Sequence, residues 1–371
     1  MKNAWRIGRV FGIDIRIDSS WLLIFVFFTW FLGGIYLPKA HAEASRALDW
    51  GLGLITSLLF FASVLAHELA HSFVAKKQGE EVSSITLFIL GGVAQIKEEP
   101  DEPLKEFGMA VVGPLTSFAL AAVFFLLSAL LAPVSGPAGS AAFFLFSANL
   151  MLGAFNLLPG FPMDGGRVFR SIVWKITGDL KKATRLASLV GDGIAFLMIF
   201  AGVFVILRGD FGGLWWVLIG WFLHNASRQG YAQVMIKSAL AGLKARDLMT
   251  TEFETVPAGL PVQALVDDYI LRKKEHVFLV TVGGDLKGIV CLDDVKALPR
   301  EDWANSPVSL IMTPKDRLQS VSLDADGNAI LASLATRDVN QVPVMEGEKV
   351  VGIICRTDVL KVLQLRSDLG V

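Results

Sequence analysis

The feature of this sequence that most restricts its fold is the segment 107–163, which contains no charged residue. A Pro/Gly/Ser-rich stretch at residues 132–139 divides it into two parts, each close to the roughly 20 residues that a helix needs to cross a bilayer core. With 53% hydrophobic and only 19% charged residues, the chain is too apolar for an ordinary soluble protein. Other apolar runs occur at residues 19–38, 50–75, 186–207 and 211–226.

These runs predict a polytopic α-helical membrane protein with about six transmembrane helices. Lysines and arginines concentrate in the amino-terminal arm and in the connections at residues 76–105 and 164–185. The alternate connections have few of them. Because such residues accumulate on the cytoplasmic side, we expect a multi-pass plasma-membrane protein with both termini in the cytoplasm. The 34 basic and 35 acidic residues balance and are dispersed, which argues against a nucleic-acid partner.

Inside the second apolar run lies His67-Glu68-Leu69-Ala70-His71, an HExxH pattern. Residues four positions apart share one helix face, so His67 and His71 can direct their imidazoles at one metal ion, with Glu68 beside it. Ionisable side chains cost about 2.5–3.5 kcal/mol each at membrane depth and persist mainly where they are paired, metal-bound or functional. The pattern therefore indicates a metallohydrolase site; histidines that merely bind neighbouring helices are the alternative.

A catalytic zinc site keeps three protein ligands and leaves the fourth position to water, so the two histidines need a partner from elsewhere. Asp164 is the candidate, because it is the first charged residue after the segment 107–163. It lies in residues 156–166, where two prolines and three glycines interrupt the helical pattern. Broken backbone near membrane depth implies a polar cavity lined by protein.

Residues 82–96 contain two strand-like runs separated by Gly91 and Gly92, which predicts a β-hairpin. Open strand edges are excluded from lipid unless protein or a cavity covers them. We therefore expect a short membrane-associated hairpin against the helices that hold the metal; an ordinary surface loop is the alternative. Residues 13–17 alternate apolar and charged side chains and predict a further, half-exposed strand at the membrane surface.

After about residue 233 the composition becomes polar, and residues 243–365 repeat themselves at a spacing of 63 to 64 residues. Residues 288–295 correspond to 352–359, and each half is expected to be a small α/β unit. The two cysteines, Cys291 and Cys355, occupy equivalent positions in the repeat. This arrangement argues against a disulfide framework and favours the reducing cytosol.

HExxH in a span, followed by Asn156-x-x-Pro159 and Asp164-Gly165, resembles the site-2 protease family of M50-type intramembrane zinc metalloproteases. The C-terminal repeat is similar to a tandem pair of CBS domains. The fold implied is a polytopic α-helical membrane domain plus a cytosolic α/β CBS-pair domain. Its expected parts are a membrane-embedded metalloprotease domain at 1–230, a linker at 231–244 and the CBS pair at 245–371, with halves at about 245–302 and 309–365.

The resemblance also implies the residues of the metal site. One Zn²⁺ per chain is implied, with His67, His71 and Asp164 as its ligands. Glu68 is implied as the general base and Asn156 as a contact to the substrate or the reaction intermediate.

The substrate implied by the resemblance is a membrane-anchored regulatory protein, cleaved within or near its transmembrane segment in regulated intramembrane proteolysis. The lipid bilayer is the other partner of the membrane domain. The substrate would add as an extended strand to the hairpin edge. The residues implied in this contact are Gly91, Gly92 and Val93.

CBS pairs commonly bind adenine nucleotides through a Thr or Ser and a later Asp. Asp294 and Asp358 keep the position of the aspartate, but Cys291 and Cys355 replace the hydroxyl residue, and a thiol is a weaker hydrogen-bonding group. An adenine nucleotide at Asp294 and Asp358 and a homodimer through the CBS pair are expectations from the resemblance. A pair that serves only dimerisation or substrate docking is the alternative.

The sequence thus predicts an intramembrane zinc endopeptidase gated by a cytosolic CBS pair. Two other classes of protein stay open at this point. One is a CBS-regulated transporter or channel whose intramembrane His, Glu and Asp residues line a permeation path. The other is a catalytically silent membrane scaffold.

Overall fold

The fold is taken from a computed structural model, which describes residues 4–89, 91–96, 100–273, 276–318, 320–336, 341–347 and 349–369. The chain divides into two compact units, with the boundary between Val234 and Met235. The first unit contains the predicted membrane spans, and the second contains the internal repeat.

The helices of the first unit follow the apolar runs. They are α1 (Ser19–Phe31), α2 (Leu37–Ala40), α3 (Arg46–Lys77), α4 (Pro103–Leu131), α5 (Gly136–Asn156), α6 (Asp164–Thr177), α7 (Leu180–Leu207) and α8 (Gly213–Leu240). A π-helical turn, Leu32–Tyr36, joins α1 to α2. Among the described residues, five helical segments are long and apolar enough to cross a membrane: Ser19–Ala40, α3, α4, α5 and α7. The polytopic membrane fold is thereby confirmed.

Helix α8 contains the sixth apolar run and does not reach the apolarity of the other five. Its first half is rich in Trp and Leu, whereas its second half carries Arg228, Gln229 and Lys237. The helix continues to Leu240, so most of the segment 231–244, expected as a linker, is helical. The reason is local: residues 231–240 contain neither Pro nor Gly. Gly242, with a φ of 76°, lies just beyond the helix end.

Four strands of the first unit form one sheet in the order β1 (Ala4–Val10), β2 (Ile13–Asp18), β3 (Val82–Phe88) and β4 (Gly91–Ile96). The β1–β2 and β3–β4 pairs are antiparallel hairpins, and β2 pairs with β3 in parallel. Ile13, Ile15 and Ile85 are buried in one cluster with Ala75 of α3 and Met109 of α4. The predicted hairpin is therefore half of a larger sheet, with β4 at its edge. Leu90, in its turn, lies outside the described residues.

The second unit contains two similar halves. Its strands are β5 (Glu254–Pro257), β6 (Val277–Val282), β7 (Asp285–Cys291), β8 (Thr313–Pro314), β9 (Val321–Ser322), β10 (Gln341–Glu346) and β11 (Lys349–Cys355). Its helices are α9 (Ala245–Leu248), α10 (Val262–Ala264), α11 (Leu271–Lys273), α12 (Leu292–Ala297), α13 (Val308–Ile311), α14 (Gly327–Thr336) and α15 (Arg356–Leu369). The sheets have the orders β5-β6-β7-β8 and β11-β10-β9.

The strand register reproduces the sequence repeat. Val280 pairs with Gly288 in the first half, and Val344 pairs with Gly352 in the second, each followed by a shift in register. The halves also exchange short helices, because Leu248 of α9 packs into the core of the second half, whereas Val308 of α13 packs into the core of the first. The core of the second half therefore depends on a helix at the start of the first half, and the core of the first half depends on a helix at the start of the second half.

Candidate metal centre

The two histidines of the HExxH pattern lie on the buried face of α3. Ser45 caps this helix by accepting a hydrogen bond from the amide of Leu48 at 3.3 Å. His67 is 3% exposed and His71 7% exposed, so both imidazoles lie inside the membrane unit. Their separation of one helical turn brings the Nε2 atoms to 3.2 Å from each other.

Asp164 completes the cluster that the sequence predicts. Its Oδ2 lies 3.1 Å from His67 Nε2 and 3.1 Å from His71 Nε2. Asp164 is the first residue of α6, where the helix dipole favours a carboxylate. In the described part of the chain, these three residues form the group that could hold a metal ion.

The donor set and its spacing fit a zinc ion. Nitrogen and oxygen ligands at about 2.0–2.1 Å from a tetrahedral zinc ion lie roughly 3.3 Å from one another. The three ligand atoms are 3.1 to 3.2 Å apart, close to that value. Three protein ligands also leave one position open, as in catalytic sites. The residues present therefore fit zinc without rearrangement.

The outer nitrogen of each histidine is held by α4. His71 Nδ1 donates to the Met109 carbonyl at 2.6 Å, and His67 Nδ1 lies 2.9 Å from Ser117 Oγ. A carbonyl can only accept, so the proton of His71 is on Nδ1 and the Nε2 lone pair faces the cluster. Such outer partners fix the tautomer and ring orientation of metal-binding histidines.

Gly113, also on α4, leaves the space in which the ligand atoms meet. A Cβ atom at this position would overlap His71 Nε2 and would lie 2.8 Å from His67 Nε2. From the sequence, Gly113 and Pro114 suggest only helix packing. The available signal was the spacing of Glu106, Gly113 and Ser117 along one face of α4, but nothing in the sequence says that this face meets the histidines.

Glu68 lies next to the histidines and beneath the edge strand β4. A Cβ atom at Gly92 would lie 2.6 Å from Glu68 Cγ, so the absence of a side chain lets β4 rest directly on the glutamate. Gly91 adopts a φ of 136°, which disfavours other residues, and Val93 is 44% exposed. The structure therefore brings Gly92 against Glu68, with Gly91 and Val93 as its neighbours along β4.

Asn156 is the last residue of α5 and has a local partner. Its Nδ2 donates to the Leu152 carbonyl at 3.0 Å, one turn earlier in the same helix. The side chain is partly buried. Asn156 is not part of the three-residue cluster. A contact between Asn156 and the substrate stays a prediction.

The two CBS aspartates hold the helices that follow them. Asp294 Oδ2 accepts a hydrogen bond from the Cys291 amide at 2.8 Å, and Asp358 Oδ2 accepts one from the Cys355 amide at 3.2 Å. Burial raises the pKa of the Cys291 thiol, which also interacts with the side chain of Gln341. Cys291 is therefore a neutral hydrogen-bonding group at neutral pH.

A separate cleft of about 1080 Å³ opens in the C-terminal unit. Three lysines line it, one in β7, one just after β8 and one in β11. The lining also includes apolar residues and the carboxylates of Asp285, Asp316 and Glu346. Neither Asp294 nor Asp358 is among its lining residues. The lysines are Lys287, Lys315 and Lys349.

Comparisons with known proteins agree with these features. Residues 55–137 and 132–200 match the model of Peptidase family M50, and residues 245–300 and 308–365 match the CBS domain. The chain is 34% identical, over 98% of its length and 96% of the relative's, to a protein of Synechocystis sp. provisionally named a zinc metalloprotease. It is 30% identical to a zinc metalloprotease of Methanocaldococcus jannaschii, over 100% of its length and 99% of the relative's. A solved site-2 protease from the same archaeon matches at 28% identity, 62% of this chain, 95% of that chain and a TM-score of 0.42.

Proposed function

The chain belongs to Peptidase family M50 and is a zinc metalloendopeptidase of the site-2 protease type, and from this we propose that it cleaves a membrane-anchored regulatory protein within or near its transmembrane segment. One observation carries the proposal: the cluster of His67, His71 and Asp164 lies inside the membrane unit, with both histidines on the spanning helix α3. A centre at that depth can reach peptide bonds that soluble proteases cannot. The transporter or channel alternative has no observation in its favour.

We assign the roles at the centre as follows. His67, His71 and Asp164 would hold one zinc ion through Nε2, Nε2 and Oδ2. A zinc ion bound there would act as a Lewis acid that polarises the scissile carbonyl and makes the attacking water more acidic. Glu68 accepts the proton of the attacking water and returns it to the leaving amine, as a general base and then a general acid.

The substrate must be extended before it can be cleaved, because the peptide bonds of a transmembrane helix are covered by their own hydrogen bonds. We propose that an unwound substrate segment adds to the edge of β4 beside Gly91, Gly92 and Val93. The support is that β4 is a sheet edge in the described part of the chain and that Gly92 lies against Glu68. We assign Asn156, at the C-terminal end of α5, as a further substrate contact.

The membrane orientation is part of the proposal. Helix α3 ends with Lys76 and Lys77, and basic residues in connections accumulate on the cytoplasmic side. We therefore propose the plasma membrane as the location, with both termini in the cytoplasm and the cluster in the cytoplasmic half of the membrane.

We propose that the CBS pair gates the protease in response to an adenine nucleotide. Lys287, Lys315 and Lys349 of the cleft would meet the phosphates, although Asp285, Asp316 and Glu346 line the same cleft and balance their charge. Asp294 and Asp358, which lie outside the lining of this cleft, stay predicted contacts of the nucleotide. We also propose a homodimer through the CBS pair, which a mass measurement of the full-length protein in detergent would detect as twice the chain mass.

The proposed roles are tested by comparing three variants of the full-length protein in detergent or nanodiscs. Glu68→Gln should keep bound zinc and lose roughly 100- to 10,000-fold in cleavage rate, because only the proton carrier is removed. His67→Ala and Asp164→Ala should lose both zinc and cleavage. Zinc content by mass spectrometry and cleavage of a tethered substrate are the measurements. Full cleavage by Glu68→Gln would contradict the assignment of the base.

A further inference from the structure

A charged pair joins α4, which contacts the outer nitrogens of both histidines, to α6, which begins with Asp164. Arg170 of α6 donates from Nε to Glu106 Oε1 of α4 at 2.7 Å, and its Nη2 donates to the same oxygen. Glu106 is 1% exposed and Arg170 4% exposed. Both charges are therefore removed from solvent, at a point where neither belongs to the ligand cluster.

On the α6 side, Arg170 contacts the loop that precedes Asp164. It lies on the same helix as Asp164, and its guanidinium is 5.0 Å from the centre of the Phe161 ring, in the loop that precedes Asp164. A Cβ atom at Gly165 would overlap the backbone of Leu157, and one at Gly166 would overlap that of Gly160. The start of α6 is therefore packed against its own entry loop.

On the α4 side, Glu106 belongs to the helix face that holds the histidines. Glu106, Met109, Gly113 and Ser117 recur at helical spacing. Met109 and Ser117 bind the outer nitrogens of His71 and His67, and Gly113 leaves room for both Nε2 atoms. One face of α4 thus contacts both histidines and, through Glu106, the helix of the third ligand.

The pair is not explained by fold stability alone. Removing two charges from water is costly, and apolar residues of similar volume often serve as well or better in such positions. A second cation is also near, because Arg167 Nε lies 3.7 Å from Glu106 Oε1. A charged pair provides what apolar packing does not: a directed contact, with two guanidinium nitrogens on one carboxylate oxygen, that defines the position of α6 relative to α4.

We propose that Glu106 and Arg170 are positioning residues that hold Asp164 at coordinating distance from His67 and His71. The inference rests on the proposed function, because it assumes that the three residues bind zinc. It assigns no chemistry to the pair: its action is to set the distance between the third ligand and the first two.

The test measures zinc affinity of the full-length protein in detergent by competition with a chromogenic chelator. Glu106→Gln and Arg170→Lys should each weaken zinc binding by roughly 10- to 100-fold, as loss of outer partners does in other metal sites. The exchange variant, Glu106→Arg with Arg170→Glu, should recover part of the affinity. Lys105→Gln, which removes a more exposed charge at the neighbouring position of α4, is the matched control and should leave affinity unchanged.

Thermal unfolding of the same samples separates positioning from a merely structural role. Wild-type zinc affinity in either folded single variant, even with a lowered unfolding temperature, would overturn the inference. Arg170→Lys keeps the charge balance and serves if Glu106→Gln does not fold. A wild-type protein that binds no zinc would instead overturn the proposed function, so the two failures are distinguishable.

Discussion

At the scale of single residues, the metal cluster depends on an absent side chain as much as on the ligands. His67, Glu68 and His71 are recognisable from their spacing, and Asp164 from its position after a long charge-free segment. Gly113 is not recognisable in this way, because its contribution is the empty volume beside His71 Nε2. The role of the Met109 carbonyl is not recognisable either. Every residue has a backbone carbonyl, and only the fold determines which carbonyl contacts a histidine.

Gly113→Ala should abolish zinc binding while the helix remains folded. The added methyl group occupies the space where the two Nε2 atoms meet, yet alanine is about 1 kcal/mol more favourable than glycine inside a helix. Zinc content and helicity by circular dichroism are the measurements. Gly108→Ala is the control on the same helix, because its nearest neighbour, Gln78 Nε2, lies 3.7 Å from the added carbon. A zinc-loaded Gly113→Ala protein would contradict this account.

Ser117→Ala should weaken zinc binding by roughly 10- to 100-fold, since His67 loses the partner of its outer nitrogen. Thr116→Ala removes a neighbouring hydroxyl that donates to the Val112 carbonyl of its own helix, and it should leave the affinity unchanged. Chelator competition measures both. Equal affinities in the two variants would show that the Ser117 contact does not orient His67.

At the scale of elements, the sheet beside the cluster was predictable only in part. The β3–β4 hairpin follows from two strand-like runs joined by glycines, which is a local signal. The parallel pairing of β2 with β3 joins segments that are distant in sequence, and no local pattern encodes it. The result matters for function, because β2 and β3 leave β4 as the edge that rests on Glu68.

Proline substitutions at Val93 and Ala94 test whether the β4 edge holds substrate. Amides alternate in direction along an edge strand, so one of the two positions points its N–H away from β3 and the other points it toward β3. The outward position should lose cleavage but keep zinc and thermal stability, whereas the inward position should lower stability. Ile7→Pro, at the register shift of β1 on the opposite edge, should cleave normally. Unchanged cleavage by both folded β4 variants would contradict strand addition.

At the scale of the whole molecule, length and composition define the parts more sharply than the places where they join. Five of the six spans predicted from apolar runs are found among the described residues, and the repeat predicts both CBS halves. Helix α8 combines an apolar start with a polar end, so hydropathy suggests a break where the chain continues as one helix. The exchange of α9 and α13 between the CBS halves is likewise invisible in the repeat, because a repeat shows which residues correspond and not which ones pack together.

If the CBS pair gates the protease, an adenine nucleotide should change the cleavage rate. Titration of ATP, ADP or AMP into the full-length protein in nanodiscs should produce a saturable change in cleavage rate below millimolar concentration. The variant Lys287→Ala/Lys315→Ala/Lys349→Ala should weaken that response, because the cleft loses the positive charge that would meet the phosphates. Lys296→Ala/Lys361→Ala, which removes lysines outside the cleft lining, should respond as the wild type. A cleavage rate that stays flat up to millimolar nucleotide would contradict nucleotide gating and leave dimerisation as the role of the CBS pair.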